Sequence, residues 1–123
     1  MKLRPCVMAM LLLSLFSISA GPHQTPAIDA PQGFLEMCKK TDNTENTSMQ
    51  AATNEGYCFG WTYGFVEGML TDPHKPTMCL PQYGDTLSAV FVIKKYIQDH
   101  PEQQNLETHV LARAALMSEY PCK

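Results

Sequence analysis

Hydrophobic residues in the C-terminal two thirds of the chain recur three and four positions apart, a spacing that predicts α-helices. The clearest case is residues 85–98, where Asp85 or Thr86 is placed to cap the first turn. Its wide apolar stripe consists of Leu87, Val90, Phe91, Ile93, Tyr96 and Ile97. Similar spacing predicts a short first helix over about residues 31–40 and a last helix over residues 106–118 that Asn105 caps.

The remaining helix contains a ladder of glycines and ends near Leu70. Gly56, Gly60, Gly64 and Gly68 recur every four residues, so they share one helix face. Glycine inside a helix costs roughly 0.5–1 kcal/mol relative to alanine. Close approach of another helix, from the same chain or from a second copy, is the first interpretation of this helix-packing face. A ligand or partner lying against the bare face is the alternative.

Polar and proline-rich segments separate these helices. Residues 39–54 form a polar loop that leads into the glycine helix, with Thr47 and Gln50 as a capping box or Thr53 or Asn54 as a later cap. Residues 72–84 contain three prolines and one cysteine, so they predict an ordered, cysteine-pinned loop without regular structure. The pattern as a whole predicts an all-α fold, a small four-helix bundle.

The first twenty residues have the features of a secretory signal peptide. Lys2 and Arg4 precede an apolar run that is too short for a membrane span, and small residues follow it. We expect cleavage near Ala20 and no membrane anchor afterwards. Residues 21–30 then form a flexible lead-in, residues 31–123 form one domain, and the mature protein is exported to the periplasm.

Composition narrows the classes of function. Loss of Lys2 and Arg4 takes the formal net charge from −3 to −5, and a mildly acidic domain has no electrostatic footprint for nucleic acid. We find no HExxH, GxSxG or phosphate-binding motif, so no catalytic residues, metal ligands or cofactors are predicted. His74, His100 and His109 are separated in sequence and are better explained as surface or packing residues than as catalytic bases.

Four cysteines remain after signal cleavage: Cys38, Cys58, Cys79 and Cys122. An even set in a small exported chain predicts two disulfides, whereas a zinc site usually shows closely spaced pairs. Helices joined by short connections pack antiparallel, which favours Cys38–Cys58 and Cys79–Cys122. Cys58–Cys79 with Cys38–Cys122 is the main alternative, and sequence alone leaves the connectivity open.

The ordered set of short motifs resembles the Rap/Tai family of type VI secretion amidase-immunity proteins. The set runs through Cys38, a Cys-x-Gly-aromatic-x-x-Gly segment from Cys58, Cys79-Leu80-Pro81, His100-Pro101-Glu102 and Tyr120-Pro121-Cys122. It covers most of the mature chain, from about Phe34 onward. Trp61 stands where the family typically has tyrosine. This difference does not change the predicted fold, but it leaves the identity of the cognate toxin open.

The resemblance implies a periplasmic helical protein, often a homodimer, that neutralises a secreted peptidoglycan-degrading toxin. In the best-known cases the toxin is a Cys–His amidase whose groove is blocked by a protruding loop. The loops at 72–84 and 99–105 are the candidates for toxin contact, with His74, Lys75 and Tyr83 as contact residues in the first. A disulfide-braced carrier of small ligands or lipids is the alternative function. For a hydrolase, we find no set of catalytic residues in the sequence.

Overall fold

The computed structural model describes residues 27–39, 48–73, 78–81 and 84–122, and the regular secondary structure in these ranges is helical. The four α-helices are α1 (Pro31–Met37), α2 (Met49–Leu70), α3 (Thr86–Asp99) and α4 (Thr108–Glu119), with a 3-10 turn at Pro101–Gln103. Both the all-α class and the four-helix count are confirmed. The predicted signal peptide and residues 21–26 of the predicted lead-in lie outside the described residues.

Helix α3 is the centre of the bundle, because it packs against α1, α2 and α4. Its side chains Val90, Ile93 and Ile97 are completely buried, and Leu111 and Leu116 of α4 meet them. The cap of α3 is Asp85, whose carboxylate accepts a hydrogen bond of 2.7 Å from the backbone N–H of Ser88. This hydrogen bond lowers the pKa of Asp85 below its usual value, because it stabilises the charged form.

Two helix starts differ from the sequence prediction. The cap of α2 is Ser48, whose hydroxyl accepts from the N–H of Ala51, so the predicted caps Thr47, Thr53 and Asn54 are wrong. Helix α4 begins at Thr108 instead of Leu106, and Glu107 occupies the cap position predicted for Asn105. The reason is the 3-10 turn after His100, which continues through a turn closed by the N–H of Leu106 and the carbonyl of Gln103.

Both predicted disulfides are confirmed. Cys38–Cys58 joins the end of α1 to α2 and is completely buried, whereas both residues of Cys79–Cys122 are exposed. The second disulfide ties the segment before α3 to the end of α4, and beside it the N–H of Cys79 donates to the carbonyl of Tyr120 over 2.9 Å. A link between the start of α3 and the end of α4 is what antiparallel packing of these two helices requires.

The last residues of the predicted lead-in are packed against the domain. The carbonyl of Asp29 accepts a hydrogen bond of 2.7 Å from the N–H of Thr108, and Ile28 packs against the core. A Cβ placed on Gly33 would lie 2.0 Å from the carbonyl oxygen of Ala27, so this close approach requires glycine. Residues 27–30 therefore pack with the helical domain, although the sequence predicted them as part of the flexible lead-in.

A buried lysine links α3 to the end of α1. Lys94 is 6% exposed, and its ammonium donates a hydrogen bond of 3.0 Å to the carbonyl of Cys38. Carbonyls at the end of a helix lack partners within the helix and carry partial negative charge, so a cation is favourable there. This contact fixes α1 next to the buried disulfide.

Candidate functional site

The glycine face of α2, formed by Gly56, Gly60, Gly64 and Gly68, is open. A Cβ built on any of the four glycines meets no heavy atom of the described residues within 4 Å. Contrary to the first interpretation, no other described helix of this chain packs on the ladder, and the buried stripe of α2 lies elsewhere, at Cys58, Thr62, Val66 and Met69. Packing of a second copy on the glycine face stays a prediction.

Aromatic side chains border this open face. Tyr57 is 64% exposed and Tyr63 is 57% exposed, and both lie within about two helix turns of Gly60. On the opposite side of the helix, Trp61 stacks on Phe65 with ring centroids 5.1 Å apart and meets Phe34 edge to face at 5.4 Å. The aromatic residues of α2 thus divide into a group that packs on α1 and a pair that faces outward.

An alanine replacement tests whether the glycine face is free within the chain. Since nothing in the described chain meets a Cβ at Gly60, Gly60→Ala is expected to raise the free energy of unfolding by about 0.5–1 kcal/mol. Urea unfolding at dilute protein concentration measures this. The matched control is Gly33→Ala, which is expected to destabilise because its Cβ would collide with Ala27. Destabilisation by Gly60→Ala would show that the face is covered in the isolated chain.

The loop over residues 72–84 is described only in part. His74, Lys75 and Tyr83, the predicted toxin-contact residues, lie outside the described residues, so their role stays a prediction. The described part shows how the loop is anchored: Met78 is completely buried, Leu80 packs against the core, and Cys79 is bonded to Cys122. The loop is therefore anchored in the part that leads into α3.

The second candidate loop, residues 99–105, is braced along its length. His100 stacks on Tyr96 with ring centroids 4.0 Å apart, and its Nδ1 lies 2.8 Å from the carbonyl oxygen of Tyr96. Because a carbonyl only accepts, Nδ1 carries a hydrogen, and the neutral imidazole then presents Nε2 as an acceptor. Gln104 donates to the carbonyl of Ile97, and Gln32 of α1 donates to Gln104. These contacts hold the loop against α3 and α1.

A groove of about 380 Å³ lies between α3 and α4 next to this loop, and we call it the α3–α4 groove. Phe91, Val92, Tyr96 and Ala115 supply its apolar lining. Its charged lining residues are Lys95, Asp99 and Glu119, with Ser118 and His100 beside them. Lys95 and Asp99 form an ion pair across one helical turn. The sequence placed Phe91 in the core stripe, yet its side chain is 43% exposed at this groove.

The rest of the described surface offers little reactive chemistry. No group of three or more potential metal ligands occurs among the described residues. Burial raises the pKa of Tyr120, helped by the negative charge of Glu119, so its phenol stays protonated at neutral pH. His109 is an exposed residue beside the carboxylate of Glu107, so it is a surface histidine as predicted. Within the described ranges, no helix has the length and apolar character that crossing a membrane requires.

A helical scaffold with two disulfides and exposed apolar surfaces defines a small binding domain. Residues 31–122 match the family model of the Rap1a immunity proteins. This chain therefore belongs to the Rap1a immunity protein family, and the predicted Rap/Tai resemblance is confirmed. Membership implies that it binds a cognate toxin as an inhibitor without catalysis of its own. No curated protein and no solved structure matches the chain.

Proposed function

We propose that this protein is a periplasmic immunity protein that binds a type VI secreted, peptidoglycan-degrading toxin of the amidase type and blocks it. The observation that carries the proposal is the family match over residues 31–122. The scaffold supports it, because a buried and an exposed disulfide in a small domain suit an oxidising compartment outside the cytosol. The predicted signal peptide gives the route of export.

The mode of action that we propose is steric. The 99–105 loop is held against α3, and the 72–84 loop is anchored through the buried Met78 and the Cys79–Cys122 disulfide. A loop held in place before binding loses less conformational entropy on association, which favours affinity. Pro73, Pro76 and the Cys79–Cys122 disulfide restrict the 72–84 loop in this way, so we propose that this loop enters the toxin groove.

Protection in the periplasm tests the function. A toxin candidate from a neighbouring gene, exported to the periplasm of a sensitive host, is expected to stop growth, and co-export of this chain is expected to restore it. A chain without residues 1–20 serves as the control, because it stays in the cytosol and is expected not to protect. Failure to protect against every neighbouring secreted toxin would contradict the proposal.

Alanine replacements in the 72–84 loop test the contact residues. His74→Ala, Lys75→Ala and Tyr83→Ala together are expected to weaken toxin binding by about tenfold or more, because a few side chains dominate most interfaces. Titration calorimetry with the purified toxin measures the affinity. Gln98→Ala, an exposed change on α3, is the control. Unchanged affinity of the triple variant would remove this loop from the interface.

We propose further that the protein is a homodimer whose two copies meet at the glycine face. An antiparallel pair of α2 helices related by a twofold axis at Gly60 sets Gly56 opposite Gly64 and Tyr57 opposite Tyr63, as an isologous interface requires. The four glycines cost α2 helix stability, and no described contact within the chain offsets that cost. Light scattering is expected to give a dimer for the native chain and a monomer for Gly60→Lys. A native monomer would contradict this.

The alternative function, a carrier of small ligands or lipids, has one supporting observation. A second pocket of about 290 Å³ lies between residues 27–28 and the first half of α2, with Met37 and Tyr57 in its lining. Because residues 27–28 line this pocket, the pocket belongs to the packing between that segment and α2. Saturable binding of an apolar fluorescent probe, abolished by Thr53→Trp in this pocket, would favour the carrier.

A further inference from the structure

The α3–α4 groove is a preformed apolar site on rigid elements. Both walls are helices, and the Cys79–Cys122 disulfide ties the start of α3 to the end of α4. Ala115 at its base is buried, while Phe91 exposes 43% of its side chain. A volume of about 380 Å³ is enough for one large side chain but lies at the lower limit of small-molecule pockets.

The charged lining of the groove carries more negative than positive charge. Its exposed carboxylates are Asp99 at the end of α3 and Glu119 at the end of α4, and its exposed cation is Lys95. Because the Cys79–Cys122 disulfide holds the end of α4 next to the start of α3, the two carboxylates lie toward opposite ends of the groove. The ammonium of Lys95 pairs with Asp99, which leaves the charge of the lining at about −1. Lys94 lies 5.8 Å from the Phe91 ring, but its ammonium points into the bundle toward the carbonyl of Cys38.

The imidazole of His100 lies beside Asp99 at one end of the groove. Its Nδ1–H donates to the carbonyl of Tyr96, so the neutral imidazole presents Nε2 as an acceptor on the far side of the ring. The Tyr96–His100 stack also fixes the imidazole plane at the end of the groove. An occupant that matches this arrangement is apolar in its centre and has N–H donors or positive charge at its edges.

We propose that the α3–α4 groove binds an apolar side chain flanked by basic residues, presented by the toxin that this protein neutralises. The identity of the partner rests on the proposed function; the chemistry of the occupant rests on the groove. The formal net charge of the chain is −3 with the signal peptide and −5 without it, which agrees with a basic partner. The braced 99–105 loop adjoins the groove and extends the contact surface.

Short peptides test the chemistry of the occupant directly. In ¹H–¹⁵N spectra of the folded protein, acetyl-Lys-Trp-Lys-amide is expected to shift the amides of residues 91–100 and 115–119 in a saturable way. Acetyl-Glu-Trp-Glu-amide is expected to bind about two- to fivefold more weakly, because exposed charge pairs contribute modestly. This difference is expected to shrink in about 0.5 M salt. Equal binding of the two peptides, or no saturable shift with either, would overturn the proposal.

Two pairs of variants test the position of the site. Ser118→Trp places a large ring in the groove and is expected to weaken binding of the basic peptide by about tenfold or more, the effect of excluding one buried apolar side chain. Its control is Met117→Trp, an exposed neighbour outside the groove lining. Glu119→Lys is expected to remove the preference for the basic peptide, and Glu107→Lys at the other end of α4 is expected to retain it. The assignment would be overturned if Met117→Trp weakened peptide binding more than Ser118→Trp. It would also be overturned if Glu119→Lys kept the preference for the basic peptide and Glu107→Lys lost it.

The same variants separate this proposal from the proposed function. If the native chain and Ser118→Trp bind the toxin with equal affinity, the groove is not part of the interface and the immunity function stands. If the native chain binds no toxin while acetyl-Lys-Trp-Lys-amide still occupies the groove, the immunity function fails and the peptide site stands. If the native chain self-associates and the Ser118→Trp variant does not, a second copy is the occupant of the groove and the proposal fails.

Discussion

Phe34→Ala is expected to cost about 3–5 kcal/mol of folding stability, the largest effect of any single substitution considered for this protein. Phe34 is completely buried and meets the ring of Trp61 edge to face at 5.4 Å. Helix α1 has only seven residues, so it depends on tertiary packing for its stability. Small domains have about 5–15 kcal/mol in total, so this substitution removes a large part of the whole.

Thermal and urea unfolding measure the effect of Phe34→Ala. The midpoint is expected to fall by more than about 10 °C, since about 1 kcal/mol corresponds to several degrees in a domain of this size. Phe91→Ala is the matched control, because Phe91 is 43% exposed and its loss is expected to cost less than half as much. Equal costs for the two phenylalanines would mean that α1 is not packed on α2 as described.

Removal of either disulfide is expected to cost several kcal/mol, for reasons that differ between the two. In the chain-entropy view, Cys38–Cys58 closes a loop of 20 residues, worth roughly 3 kcal/mol, and Cys79–Cys122 closes one of 43, worth roughly 4 kcal/mol. The buried pair adds a packing loss, because both of its cysteines are completely buried. We therefore expect Cys38→Ala with Cys58→Ala to destabilise at least as much as Cys79→Ala with Cys122→Ala.

Accessibility to reductant separates the two disulfides in the native protein. Cys79 and Cys122 are exposed, so a dithiol is expected to reduce this pair first and leave Cys38–Cys58 intact until the protein unfolds. Alkylation followed by peptide mass spectrometry at increasing times of reduction measures the order. Simultaneous loss of both pairs under native conditions would contradict the burial of the first disulfide.

Local rules account for most of the bundle. Three predicted features depend only on residues that are close in sequence, and the structure has each of them. They are the period of α3, the cap at Asp85 and the end of α3 before the proline that follows His100. The disulfide pairs followed from antiparallel packing of consecutive helices and needed no knowledge of side-chain contacts. The start of α4 was mispredicted because a 3-10 turn competes with the helix after Pro101, and periodicity does not reveal that competition.

The exposed surfaces depended on long-range packing and were harder to predict. A wide apolar stripe has edge positions, and which edge is buried depends on where the neighbouring helix lies. Phe91 occupies such an edge and lines the α3–α4 groove instead of the core. The glycine ladder indicated close approach of another backbone, but only the bundle shows that no described residue of the same chain covers it. Spacing identifies a face, and the fold determines whether it is buried.

The proposed function depends on inhibition of a secreted toxin by direct binding. The most direct measurement is a titration of the purified toxin with the purified mature protein, in which release of peptidoglycan fragments is followed. Toxin activity is expected to fall linearly to zero at about one protomer per toxin, as for binding much tighter than the concentrations used. Full toxin activity at a large excess of the protein would contradict inhibition by direct binding.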